Sequence, residues 1–311
     1  MLPRAVSILL ALAVAAGPAF GLNPSRCFSG SQDSPPDATI QSTVSEVQFG
    51  FHVLQNGRAI NNLQKDQFNV YQDGQQVPEV TGFYEDRDLP IELALMIDTS
   101  GSMSKGFASE QDAAIDFLRR VMRPGIDHGV VATFSAHATL DLTVDGTSPA
   151  SLRGIAMLRP AGLTALFDSI CEAAAQIATT TPLPRRTRNA LVLLSDGNDN
   201  YSMHSLEEAV AAAQNSNLVI YAVTAHRRKN VQWGDANLEK LAAATGGRVF
   251  YLNKFEQSEA IFAELEHEIR SQYTVTFRSV GNTCGFHSVR VEAADQSLQV
   301  LARAGFYRDC P

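Results

Sequence analysis

Asp98, Ser100 and Ser102 stand in the run IELALMIDTSGSM, Ile91 to Met103, where a continuous apolar stretch ends on a carboxylate and hydroxyls follow at alternate positions. Oxygen donors of this kind suit a hard divalent cation. The apolar run before them reads as a buried strand. Such a strand delivers its last carboxylate to the rim of a sheet, where a turn around Gly101 can aim both serine side chains at one point.

The spacing DxSxS resembles the metal-ion-dependent adhesion site (MIDAS) of von Willebrand factor type A (VWA) domains. That family completes its site with a Thr at a helix start and an Asp after a second buried strand. Both occur here in order, Thr164 in AGLTALFDSI and Asp196 after ALVLLSDG. The resemblance therefore implies a metal held by Asp98, Ser100, Ser102, Thr164 and Asp196. Mg²⁺ is the expected ion, with Mn²⁺ or Ca²⁺ as alternatives. The family's Gly before the Thr is Leu163 here, with Gly162 one place earlier. Each residue alone also has an ordinary reading: a Thr before a helix is an N-cap, and an Asp after a strand a turn former. Asp199 and Asn200, just beyond the metal loop, read as turn residues or as its rim.

The elements that must position these groups follow from pattern. After Pro90, strands and helices alternate, the signature of a mostly parallel, doubly wound α/β sheet covered on both faces. Ala114, Phe117, Leu118, Val121 and Met122 share one helical face, and Pro124 and Gly125 end that helix. This alternation matches a VWA, Rossmann-like domain over 90–271. Before it, at 39–89, Val47, Phe49 and Phe51 alternate as in a strand, and Phe68 and Val70 precede an Asp73-Gly74 turn. The segment KDQFNVYQDGQQ with the upstream VLQNGRAINNL resembles the stretch ahead of the VWA domain in the acidobacterial VWFA-related family of exported proteins. After the domain, at 272–311, TVTF, HSVRVEA and LQVLARAGFY are strand-like. Each β segment is too small to fold alone. They are expected to pair into one β-sandwich-like region with the VWA domain inserted between them; two separate β extensions are the alternative.

Met1 to Gly21 reads as a cleaved signal peptide, with Arg4 at its positive end and an apolar core too short to span a membrane. Residues 22–38 form a linker. Export to the periplasm or the exterior follows, without a membrane span. The net charge is −8, and −9 without Arg4, so nothing directs the chain to nucleic acid or an anionic membrane. The run from His226 to Lys229 reads as a solvated loop. Of the four cysteines, Cys171 lies in a helix-like run and is expected as a buried free thiol. Cys284 with Cys310 is the favoured disulfide, and Cys27 with Cys310 the competitor.

No GxSxG, HExxH, phosphate-binding loop or GxGxxG occurs, and the seven histidines lack ligand spacing. A hydroxyl-rich site without an evident general base positions a ligand and does not activate water, so no enzyme is expected. The resemblance implies an adhesion or interaction module whose metal takes an acidic side chain from a protein partner. A structural envelope module, its metal only stiffening the loops, is the alternative, and a metal-dependent hydrolase the more distant one.

Overall fold

In the computed structural model, residues 46–104, 107–136, 138–141, 148–180, 187–224, 233–252, 258–281 and 283–308 are described. The expected leader and linker, Cys27, the His226 to Lys229 run and Cys310 lie outside them. Along the chain come β1 (Glu46–Gln55), β2 (Arg58–Ala59), β3 (Phe68–Gln72), β4 (Gln75–Gln76) and β5 (Val80–Glu85). The alternating part follows: β6 (Ile91–Asp98), α1 (Phe107–Val121), β7 (His128–Phe134), β8 (Ala138–Asp141), α2 (Pro149–Met157), α3 (Leu166–Thr180) and β9 (Arg188–Leu194). It continues with α4 (Leu206–Asn215), β10 (Leu218–Thr224), α5 (Trp233–Thr245), β11 (Val249–Tyr251) and α6 (Ser258–Arg270). Strands β12 (Gln272–Arg278), β13 (Gly285–Ala293), β14 (Leu298–Ala302) and β15 (Gly305–Arg308) close it.

The central sheet has the order β11-β10-β9-β6-β7-β8, parallel except for the antiparallel edge strand β8. Successive side chains of β6 point to opposite faces. Leu93, Leu95 and Ile97 therefore join a core with Phe117 and Leu118 of α1 and Leu265 of α6. Ala94 and Met96 join a second core with Leu166 and Ile170 of α3, Ala213 of α4 and Leu238 of α5. A strand covered on both faces has no solvent side, which is why its sequence is apolar without alternation.

The flanking strands form two antiparallel sheets, β14-β1-β12-β5 with β2 on β1, and β15-β13-β3-β4. One core joins them, with Phe49 and Phe51 from β1, Phe68 and Val70 from β3, Val275 and Phe277 from β12, and Val289 and Val291 from β13. Phe51, Phe68, Phe83 and Tyr273 form an aromatic cluster with ring centroids 5.2 to 6.5 Å apart, which binds the early and late segments directly. The doubly wound sheet thus sits between β5 and β12, and those two strands pair with each other. A β-sandwich built from both segments is the architecture found.

The late run LQVLARAGFY, expected as one strand-like unit, divides. Its first half, β14, pairs with β1 and its last, β15, with β13, so the chain passes from one sheet of the sandwich to the other. A second correction concerns Cys171, which is disulfide-bonded, as is Cys284. No free cysteine occurs among the described residues. Burial in a helix looks the same for a thiol and for half of a disulfide; only the approach of a second sulfur decides, and that belongs to tertiary structure.

Candidate metal centre

Strand β6 ends on Asp98, and its parallel pairing with β9, Ile97 opposite Leu194, sets Ser195 alongside. Asp98 is fully buried. Its Oδ1 accepts the Ser100 N–H at 2.8 Å and its Oδ2 the Ser195 hydroxyl at 2.7 Å. Ser195 Oγ in turn accepts the Gly197 N–H at 2.9 Å. Both carboxylate oxygens are therefore fixed in direction. The hydroxyls of Ser100 and Ser102 lie 3.0 Å apart, joined by a hydrogen bond on the same loop.

Thr164 is 1% exposed. Its N–H donates to Asn200 Oδ1 at 2.8 Å, and its carbonyl accepts the N–H groups of Asn200 and Tyr201 at 3.0 Å. Helix α3 begins at Leu166, and its free Phe167 N–H is met by Asp199 Oδ2 and Ser202 Oγ, each at 3.1 Å. The capping work that an isolated Thr would do is thus done by Asp199 and Ser202. No hydrogen bond occupies the Thr164 hydroxyl among the described residues.

Asp196 is buried, and its Oδ1 accepts the Asn198 N–H at 3.1 Å. Its loop lies against the first turn of α5 through two glycines. A Cβ on Gly234 would stand 2.0 Å from the Asp196 carbonyl oxygen, and one on Gly197, where φ is +75°, would stand 2.2 Å from the Gly234 carbonyl oxygen. Only glycine at both positions permits this approach.

Backbone bonds tie the loops together. Gly101 N–H donates to the Gly162 carbonyl at 3.1 Å, Ala161 N–H to Thr99 at 2.7 Å, and Ala165 N–H to Ser135 at 2.7 Å. The displaced glycine of the Thr loop has a definite role: Gly162, at φ +86°, supplies the carbonyl that holds Gly101. Structure thus brings Asp98, Ser100 and Ser102 onto one loop, cross-linked to those of Thr164 and Asp196, at the carboxyl end of the sheet where ligands of open α/β folds bind.

Burial pushes the Asp98 carboxyl above the usual carboxylate range; hydrogen bonds from Ser195 and Ser100 oppose this, and the neighbouring Asp196 charge adds to it. Buried carboxylates at Asp98 and Asp196, with the Ser100, Ser102 and Thr164 hydroxyls on loops tied to theirs, are the donor chemistry of a hard cation, and these residues fit one. Among the described residues, no three His, Cys, Asp or Glu side chains converge as a ligand set. The hydroxyls are therefore essential to any coordination here.

Several contributors were not evident in sequence. Ser195 orients Asp98, a role that only the register of β9 on β6 reveals. Asp199 and Asn200, readable as turn or rim residues, also staple the third loop to the start of α3, and Asp199 Oδ1 accepts the Ser202 N–H within its own turn. Asp168 accepts the N–H groups of Met203 and His204, and meets His204 Nδ1 at 2.8 Å. Ser195 and His204, close in sequence, thus have separate partners. Glu110 is a buried carboxyl on α1. Its position one turn before Ala114 and two before Phe117, on the helix's apolar face, was the signal that could have found it.

A comparison with curated proteins finds no match. Among solved structures, proximal thread matrix protein 1 from the mussel byssus aligns at 20% identity over 65% of this chain and 51% of its own, with a TM-score of 0.48. A further structure of that protein has a zinc-occupied MIDAS motif. The chain spans about half the length of the mussel protein. A von Willebrand factor type A protein from Catenulispora acidiphila aligns at 14% identity over 86% of this chain and 74% of its own, with a TM-score of 0.47. BatB of Bacteroides thetaiotaomicron aligns at 14% identity over 58% of this chain and 100% of its own, with a TM-score of 0.46. The family model of the von Willebrand factor type A domain matches residues 92–264, which span the sheet from β6 to α6 and all three loops of the site, and the chain belongs to that family.

Proposed function

We propose that this is an exported interaction module that binds a protein partner through a divalent cation held by Asp98, Ser100, Ser102, Thr164 and Asp196. The observation that carries the reading is the fixed Asp98 carboxylate, aimed by Ser195 and Ser100 beside Asp196 and the unoccupied Thr164 hydroxyl. The cation supplies a Lewis-acidic position for a partner's carboxylate. The chain's own groups hold and orient it: Asp98 and Asp196 provide charge, the three hydroxyls provide neutral oxygens, and the Asn200 bonds set the Thr loop.

The surroundings favour a protein partner. Leu163 beside Thr164, and Tyr201 and Met203 on the stapled loop, are exposed. Trp233, the only tryptophan of the chain, is 93% exposed, one residue from the Gly234 contact with the Asp196 loop. Large apolar side chains concentrated around a polar site are what protein interfaces use as anchors. Mg²⁺ is the proposed ion on the hardness of the donors. Ser195 is bonded to Asp98 and His204 to Asp168, so the two do not form a nucleophile and base pair, which favours binding over hydrolysis.

Export rests on the Met1 to Gly21 signal sequence and accords with disulfide bonds at Cys171 and Cys284, since such bonds persist in oxidising compartments. We assign Cys310 as the partner of Cys284. No helix among the described residues is long and apolar enough to cross a membrane.

The test is calorimetric titration of the mature protein and of Asp98→Ala with MgCl₂ and MnCl₂, followed by capture from envelope and extracellular fractions in Mg²⁺ or EDTA. Metal binding lost in the variant, with the same proteins lost in EDTA and in the variant, is the expected result. Identical captured sets in all conditions would sink the interaction reading; metal-dependent stability without any captured partner would favour the structural module.

A further inference from the structure

The loops do not contain all of the acid at this end of the sheet. Glu110 lies in the first turn of α1, the helix that follows the Asp98 loop. It is 6% exposed, and its Oε2 is fully buried with no hydrogen-bond partner. No ion pair relieves it among the described residues. A carboxylate buried this way is rare, because its lost hydration is normally repaid by a cation or by hydrogen bonds.

Glu110 sits at the end of α1 that follows the Asp98 loop, on the helix face that carries Phe107, Ala114 and Phe117 into the core shared with Leu95 and Ile97 of β6. Burial, then the Asp98 and Asp196 carboxylates, push its carboxyl up to about 7, and among the described residues no basic side chain opposes them. The acids of β6 and of the Asp196 loop thus disfavour ionisation of the Glu110 carboxyl. Glu110 does not join the other two in a common ligand group. Its influence is that of a charge placed behind them.

Resting on the metal-site reading above, we propose that Glu110 is an outer carboxylate of that site, a positioning residue that adds negative charge behind Asp98 and Asp196 and raises cation affinity without ligating. The apo protein keeps an uncompensated buried acid there, and a divalent cation relieves it. Occupancy of the site is thereby coupled to the packing of α1.

The experiment uses the full mature chain. Mn²⁺ and Mg²⁺ affinities are measured by calorimetry for the wild type, Glu110→Gln and Asp98→Ala, and melting temperatures are recorded in EDTA and in saturating metal. Removal of a group outside the ligand shell is expected to weaken cation binding about 10-fold. Glu110→Gln should also melt higher than the wild type in EDTA and gain less from metal, whereas a merely structural glutamate would lower both melting temperatures together. Glu110→Met, similar in volume, reads the same loss of charge if the amide does not fold. Wild-type affinity and an unchanged metal-induced shift in the variants would overturn the role of Glu110 alone. A wild type that binds neither ion would overturn the metal reading and this one with it.

Discussion

Asp98 shows how one side chain is shared between folding and function. Its two oxygens are occupied by Ser100 N–H and the Ser195 hydroxyl, so the carboxylate cannot rotate away from the rim. Ser195→Ala should free Oδ2 while leaving the loop sequence intact. Removing a donor from a buried acceptor costs about 1 to 3 kcal/mol, and loss of a group that orients a ligand costs about 10- to 100-fold in metal affinity. Urea denaturation and a Mn²⁺ titration of this variant check both numbers. An unchanged affinity would mean that Ser195 only packs beneath the loop.

At the element scale, the first turn of α5 meets the Asp196 loop backbone to backbone. Gly234→Ala places a methyl carbon where the Asp196 carbonyl now lies, so the helix or the loop must shift. We expect a loss of about 1 to 3 kcal/mol, as for other overpacked contacts, together with weaker metal binding. Gly154, exposed within α2 with nothing within 4 Å of an added Cβ, is the matching control. Gly154→Ala should raise stability by about 0.5 to 1 kcal/mol, the helix-propensity gain, and leave metal binding alone. Thermal melts of the pair separate steric exclusion at the loop from glycine's general effect. Helix α1 carries a similar lesson. Its apolar stripe is legible from Ala114 to Met122, and the same periodicity extends the buried face back to Glu110, a residue type rarely found there.

Across the whole molecule, buried polar groups join the layers at places remote from the metal. Asp127 accepts from Arg123 and Arg270, each at 2.8 Å, and from the Ile91 N–H at 3.0 Å, fixing the start of β6 to the ends of α1 and α6. Burial would raise its carboxyl, but the bonds from Arg123 and Arg270 win and hold it at about 2. Asp127→Ala should cost about 3 to 5 kcal/mol, the usual penalty for breaking a buried pair. Where the VWA domain meets the sandwich, His52 of β1 meets the Tyr221 hydroxyl of β10 at 3.0 Å, and burial, followed by the Arg188 charge, lowers the histidine to about 3. Glu268 on α6 is pushed up to about 7 by burial, although Arg248 lies 2.6 Å away. The two acids act on stability with opposite sign. Asp127, depressed below its ordinary 3.8, stabilises the fold above that pH and ceases to do so as pH falls through about 2. Glu268, raised above its ordinary 4.5, makes stability fall as pH rises from 4.5 to about 7, because the unfolded chain ionises first. Denaturation of the metal-free protein should therefore show greater stability at pH 5 than at pH 7.5, and Glu268→Gln should reduce that difference.

The sequence by itself determined the local features whose cause is local: an apolar run ending at Asp98, the DxSxS spacing, the alternation of strands and helices after Pro90, and the period-two segments on either side. Patterns of that kind record which faces are buried, and burial of both faces of β6 is enough to write its sequence. The tertiary structure decided what depends on a second partner. It set Ser195 against Asp98 through strand register, and gave the capping of α3 to Asp199 and Ser202, which left the Thr164 hydroxyl without a hydrogen bond among the described residues. It divided LQVLARAGFY between two sheets, because period two is the same for one long strand and for two short ones until each finds its neighbour. It also disulfide-bonded Cys171 and buried the Glu110 carboxyl. Each outcome rests on distances between residues far apart in the chain, which composition and spacing do not encode.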